Sequence, residues 1–205
     1  MKRFIPLLLI LLLLLTGCTA KDATQDGVIT SSSLTGTYYV QIDVKDYGSI
    51  TAELYADIAP ITVENFLNLV DSGFYNGLTF HRIISGFMIQ GGDPNGDGTG
   101  GSEMKIKGEF SQNGVENNLK HTRGVLSMAR SSAHDSASSQ FFIMHAAAPH
   151  LDGAYAAFGC VLSGMDVVDA ICKNTPVTNS NGGVATANQP IIERIQRIEK
   201  PESIE

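Results

Sequence analysis

The sequence predicts a mainly β domain with two helices. Three observations carry that expectation. Short runs rich in Val, Ile, Phe and Thr recur from Tyr38 to Ile198, turn residues bound each run, and two stretches place apolar residues at helical spacing. At 205 residues and 43% hydrophobic content the chain has room for one domain, with a core that needs no covalent staples.

Tyr38 to Val44 and Ser49 to Tyr55 are β-rich runs joined by Lys45-Asp46-Tyr47-Gly48, a pattern that predicts an antiparallel hairpin. Pro60 opens a helix, because its missing N–H has no partner at that position anyway. Val63, Phe66, Leu67 and Val70 give the helix one apolar face, and Gly73 suits its left-handed end. Strands are then expected at Thr79 to Ile84, Phe87 to Gly91, Lys105 to Ile106, Val125 to Ala129, Gln140 to Met144 and Ala156 to Leu162. A second helix carries Met165, Val168, Asp169 and Cys172, with Asp166 in its first turn, where negative charge is favoured. Asn174 to Gln189 reads as a long polar loop. The pattern of Ile191 to Ile198 fits helix and strand equally.

The chain turns on Phe80 to Asp93, FHRIISGFMIQGGD, where Arg82 stands among large apolar side chains and glycines follow. On extended backbone Arg82 and Ile84 point one way and Ile83 the other, and Ser85-Gly86 permits a corner. With GTGG, LKHT, LSMA, SQFFI and LDG…FG in the same order further along, these segments closely resemble the cyclophilin family of peptidyl-prolyl isomerases, over roughly Tyr38 to Lys200. The resemblance implies a closed eight-stranded antiparallel β-barrel capped by two α-helices, with its last strand at Ile191 to Ile198. Side chains fill the interior of such a barrel, so its active face lies outside.

The resemblance also assigns residues. Arg82 and Gln90 match the family's catalytic arginine and its neighbouring glutamine. Phe87, Met88, Phe142 and Leu151 map onto the apolar seat of the prolyl ring, Gln140 onto a polar groove residue, and the backbone of Ala129, Arg130 and Ser131 onto the peptide-pairing edge. Four positions depart from the usual pattern: Arg130 stands in place of asparagine, His150 of the cyclosporin-contacting tryptophan, Tyr155 of a histidine beside the proline pocket, and Ser85 of a proline. Weak cyclosporin binding and an altered preference before proline are the expected results. The implied protein is a monomer without cofactor or metal, acting on proline-containing polypeptides. A proline-segment-binding chaperone or scaffold with little turnover is the alternative. It would need the apolar seat but not the arginine.

The N-terminus carries a different signal. Lys2 and Arg3 precede an apolar run from Phe4 to Leu15, too short to span a bilayer, so residues 1–17 read as an export signal. Leu15-Thr16-Gly17-Cys18 resembles the lipobox of bacterial lipoproteins, which makes Cys18 the expected site of lipidation and membrane attachment outside the cytoplasm. Residues 18–37 then form a flexible polar tether, 38–200 the isomerase domain and 201–205 a tail. Exported unfolded or folding proteins are the expected clients. Without Lys2 and Arg3, 12 basic residues face 21 acidic ones, a charge near −9 that argues against nucleic acid as a partner.

Several motifs do not survive scrutiny. Gly96 to Gly101 fits G-x-G-x-x-G, yet no helix follows to hold a pyrophosphate. Asp93 begins a calcium-loop pattern whose twelfth position is Met104, with Glu103 one residue early. Five histidines with Ser127 and Asp135 hint at a hydrolase, but neither H-E-x-x-H nor G-x-S-x-G occurs. For Cys160 and Cys172 reduced, buried thiols are expected, although the sequence leaves a disulfide open.

Overall fold

The computed structural model describes residues 24–25 and 27–202; the export signal and Cys18 lie outside them. Strands β1 (Thr24–Gln25), β2 (Val28–Ile29), β3 (Thr37–Val44) and β4 (Gly48–Tyr55) precede helix α1 (Pro60–Asp71). Then come β5 (Thr79–Ile84), β6 (Met88–Asp93), β7 (Lys105–Ile106), β8 (Val125–Met128), β9 (Phe141–Met144), β10 (Ala157–Ser163), α2 (Met165–Asn174) and β11 (Ile192–Ile198).

The expected hairpin is β3–β4, paired from Thr37↔Tyr55 to Val44↔Gly48. Because side chains alternate along a strand, Val40, Ile42 and Val44 share a buried face with Ile50, Ala52 and Leu54. Eight strands form one antiparallel sheet in the order β11-β3-β4-β10-β8-β9-β6-β5. Pairing settles the ambiguous last segment: β11 is a strand because Ile195 lies opposite Ile42 on β3. Inside, the Phe66 ring of α1 lies 5.1 to 5.4 Å from Tyr75, Phe141 and Phe158.

Closure is where structure and expectation part. The strand ladder is open between β5 and β11, which meet only through an isolated Thr79↔Ile191 bridge flanked by Phe80 N–H to Pro190 O at 2.9 Å and Ile192 N–H to Leu78 O at 2.8 Å. Pro190 has no N–H, so the ladder cannot continue back through it. Residues 182–184 cover the rest of that edge instead, with Ile83 N–H donating to Gly182 O and Val184 N–H to His81 O. The expected tether also gives way before Thr37: β2 adds in parallel to β7, and Ile29 and Leu34 pack on the core.

Helix α1 starts at Ala59, which offers no capping side chain. Glu109, from far along the chain, does that work: its carboxylate accepts the N–H of Ile61 at 3.0 Å, the N–H of Thr62 at 2.7 Å and the Thr62 hydroxyl at 2.6 Å. Burial nonetheless holds Glu109 above the ordinary carboxylate range, outweighing those bonds. The fold therefore favours the protonated form, and this group's contribution to stability declines as pH rises through its folded pKa. Glu109→Ala, which orphans two buried N–H groups, should cost about 2 to 4 kcal/mol in thermal or denaturant unfolding. A loss below about 0.5 kcal/mol would show that water replaces the cap.

Candidate active site

Strands β6 and β9 divide their side chains between two apolar clusters. Ile89, Phe141 and Ile143 enter the main core, while Met88, Phe142 and Met144 join Val125, Leu151 and Ala157 in a smaller cluster on the other face. Above this second cluster opens a cavity of about 740 Å³, lined by Arg82, Phe87, Met88, Gln90, Ala129, Arg130, Phe142, His150, Leu151 and Tyr155. Phe142 and Leu151 are 5% and 7% exposed, so each is at once packed beneath and open to the hollow.

Arg82 on β5 faces Gln90 on β6 in register. Its Nη1 donates to Gln90 Oε1 at 3.1 Å, Gln90 Nε2 donates to Gln140 Oε1 at 2.8 Å, and Gln140 Nε2 donates to Gly100 O at 2.7 Å. On the other side Nε donates to Asn181 O at 2.8 Å and Nη2 to Asn181 Oδ1 at 3.1 Å. Asn181 was not legible as a site residue. The polar loop that holds it bends through Gly182, at φ +81°, where a Cβ would strike the Ile83 carbonyl. Asn179 Oδ1 fixes the bend by accepting the N–H groups of Asn181 and Gly183. Burial lowers the Arg82 pKa from its ordinary value and Tyr155 opposes the shift, yet a guanidinium starts so high that it stays cationic.

The remaining expected residues fall around this centre. Arg130 lies with its guanidinium carbon 4.6 Å from the Tyr155 ring centroid, and Tyr155 meets Phe142 edge to face at 6.0 Å. His150 stacks on Phe87 at 5.7 Å. Ser131 and Gln140 line a neighbouring hollow of about 210 Å³ instead of the main cavity. His81, missed in the sequence, lines the main cavity beside Asp97 and Gly98. It is 5% exposed, neither ring nitrogen has a hydrogen-bond partner among the described residues, and burial holds it below the ordinary imidazole value.

Three sequence motifs resolve into structure. The Asp93 carboxylate accepts N–H groups of Asn95, Asp97 and Gly98, so it shapes the glycine-rich loop from within. Ser127 does meet a histidine and an aspartate, but the aspartate is Asp152: His121 Nε2 lies 3.0 Å from Ser127 Oγ and Nδ1 lies 3.0 Å from Asp152 Oδ1. Asp135 accepts from Gly108 N–H and Asn113 elsewhere. Cys160 and Cys172 are unjoined and half-buried, and burial raises both thiols, Cys172 to about 11.

Known proteins can now be set beside this geometry. Residues 39–197 match the sequence pattern described as cyclophilin type peptidyl-prolyl cis-trans isomerase/CLD. The chain belongs to that family. A Bacillus subtilis (strain 168) protein, peptidyl-prolyl cis-trans isomerase B, is 48% identical over 123 residues, 60% of this chain and 82% of the relative. A peptidyl-prolyl cis-trans isomerase of Helicobacter pylori (strain J99) is 45% identical over 145 residues, 70% of this chain and 86% of the relative. A longer Rhizopus delemar protein, peptidyl-prolyl cis-trans isomerase-like 2, is 47% identical over 135 residues, 65% of this chain but only 25% of the relative. The crystal structure of a Cryptosporidium parvum cyclophilin superposes with TM-score 0.71 at 33% identity, covering 81% of this chain and 100% of that one.

In this cyclophilin the clamp on Arg82 gives a direct test. Asn181→Ala keeps the main-chain carbonyl bond and loses the side-chain one, so kcat should fall about fivefold with KM nearly constant, measured by exchange NMR on a short proline peptide. An unchanged kcat would mean that Gln90 and the carbonyl alone hold the guanidinium.

Proposed function

We propose that this chain accelerates cis-trans rotation about X–Pro bonds, with Arg82 as the donor to the prolyl nitrogen in the transition state. One observation carries the reading: an arginine fixed from both sides in the wall of a hollow whose floor is the apolar cluster of Met88, Phe142 and Leu151. The crystal structure of the same Cryptosporidium parvum cyclophilin in the presence of the dipeptide Ala-Pro superposes with TM-score 0.69 at 34% identity, which supports proline-containing peptides as the substrate class.

Amide resonance opposes rotation with a barrier of ~18 to 20 kcal/mol. Midway through the twist the prolyl nitrogen becomes pyramidal and carries a lone pair that the planar ground state lacks. A donor aimed at that pair binds the transition state selectively. Of the five N–H groups of Arg82, three are spent on Asn181 and Gln90, which leaves one on each terminal nitrogen. The spent donors fix the plane of the guanidinium and the remaining ones reach the substrate. Lowering the barrier by about 5 to 7 kcal/mol brings turnover to milliseconds. The prolyl ring sits on Met88, Phe142 and Leu151, and Gln90 bonds the substrate backbone.

We further propose that the protein is lipid-anchored through Cys18 outside the bacterial cytoplasm and serves exported proteins as they fold. The lipobox-like Leu15 to Cys18 supports this. Among the described residues no helix is long and apolar enough to cross a membrane.

Arg82→Ala should lower kcat/KM about 100-fold or more while the fold is kept, checked by exchange NMR together with thermal melting; equal rates would remove the mechanism and favour a binding module. No proton moves in the step, and burial holds His81 and His121 below the ordinary imidazole value. The rate should therefore be flat from about pH 6 to 9. A sigmoid fall toward acid would place a histidine in the chemistry. Cys18→Ser should release the protein from the membrane fraction, and persistent attachment would defeat the anchor.

A further inference from the structure

Arginines in the described residues fall into two groups. Arg123, Arg194 and Arg197 are paired with Asp169, Asp43 and Asp71. Arg82 and Arg130 have no carboxylate within the 4.0 Å of an ion pair among the described residues, and both line the groove. In a chain of net charge −7 this places two arginines without a carboxylate partner where a peptide would lie.

Arg130 is held rigidly. Its Nε and Nη2 donate to Ala154 O at 3.1 and 2.8 Å and its Nη1 donates to Ser131 O at 2.9 Å. Its guanidinium carbon lies 4.6 Å from the centroid of Tyr155 and 5.1 Å from that of Phe110. Every one of these partners is neutral, so the charge is oriented but not cancelled. Beside it the hollow of about 210 Å³ is walled by Arg130, Thr99, Ser131, Ser136, Ser138 and Gln140, with no carboxylate in its lining. Asp97 lines only the main cavity, with Arg82 and His81. The two hollows share Gln90, Gly98, Ala129 and Arg130, so a chain with proline in the larger one passes the smaller within a residue or two.

Building on the prolyl-peptide reading of the groove, we propose that the smaller hollow takes an Asp or Glu side chain of the substrate, with Arg130 as the residue that sets the preference. A carboxylate there meets a preoriented cation, whereas a lysine meets like charge with no carboxylate in the lining to offset it. The acidic body as a whole repels acidic peptides, which separates this local preference from a general one: it belongs to one substrate position only.

The test uses the full chain and one peptide scaffold carrying Glu, Gln or Lys at each of the two positions on either side of X–Pro. The preference is the Glu-to-Lys ratio of kcat/KM at one position relative to the others, which cancels net charge. A ratio of about tenfold at one position is expected, falling as salt rises. Arg130→Gln should bring it within about twofold and Arg130→Lys should retain a part, while a purely structural role for Arg130 would lower all peptides together and leave the ratio standing. A flat ratio in the wild type, or one that survives Arg130→Gln, overturns the proposal while turnover of the Gln peptides leaves the isomerase reading intact. No turnover of any Gln peptide removes that reading and this inference with it.

Discussion

The pairing of β6 with β9 is the constraint on which the rest hangs. With Ile89 opposite Ile143 and Gln90 opposite Phe142, successive side chains go alternately to the barrel interior and to the outer hollow. A slip of one residue would send Phe142 inward and Phe141 out, emptying the core and closing the pocket together. The same register places Gln90 between Arg82 and Gln140. Fold stability and the shape of the outer hollow are thus two faces of one ladder.

The open seam belongs to the same account. Had β11 paired along the whole of β5, its backbone would occupy the edge that residues 182–184 now take. Those residues bring Asn181 against Arg82, and Arg82 itself is bridged to Gly183. Leaving the ladder unclosed at one edge gives the Arg82 guanidinium its second clamp, while the loop still satisfies the exposed strand groups that an open sheet would present.

Much of this was legible because local pattern and tertiary pattern agree. The β3–β4 hairpin, both helices and the residues around Arg82 follow from alternation, helical spacing, Pro60 and Gly73, or from motifs with fixed order. What escaped notice depends on contacts between distant segments. Glu109 looks like any acidic residue until α1 is placed over it, since the capping position Ala59 is silent. Asn181 sat in a polar loop whose Asn-Gly pair announced a turn but not its destination. The strand at β2 could not be read from two residues, because its partner β7 is equally short and lies far along the chain. Barrel closure came from resemblance, and Pro190 was the one local sign against it.

Beneath the outer hollow lies a Ser–His–Asp arrangement that invites comparison with a nucleophilic triad. Geometry alone would allow it, but Ser127 is 0% exposed and the His121 ring is stacked on Phe142, centroids 6.1 Å apart, so no substrate carbonyl can reach the hydroxyl. What remains is a buried network in which the Asp152 carboxylate accepts both the His121 main-chain N–H at 2.8 Å and, in the neutral imidazole, Nδ1–H, leaving Nε2 to accept from Ser127. Each buried polar atom of the set has a partner, and such networks are stiff because a broken bond inside would find no water. Asp152 adjoins Leu151 in sequence, Ser127 lies opposite Phe142 in register, and His121 backs Phe142, so the network fixes two walls of the hollow at once. The pocket is therefore ordered when the chain folds, and a ligand entering it need not supply the free energy to shape it.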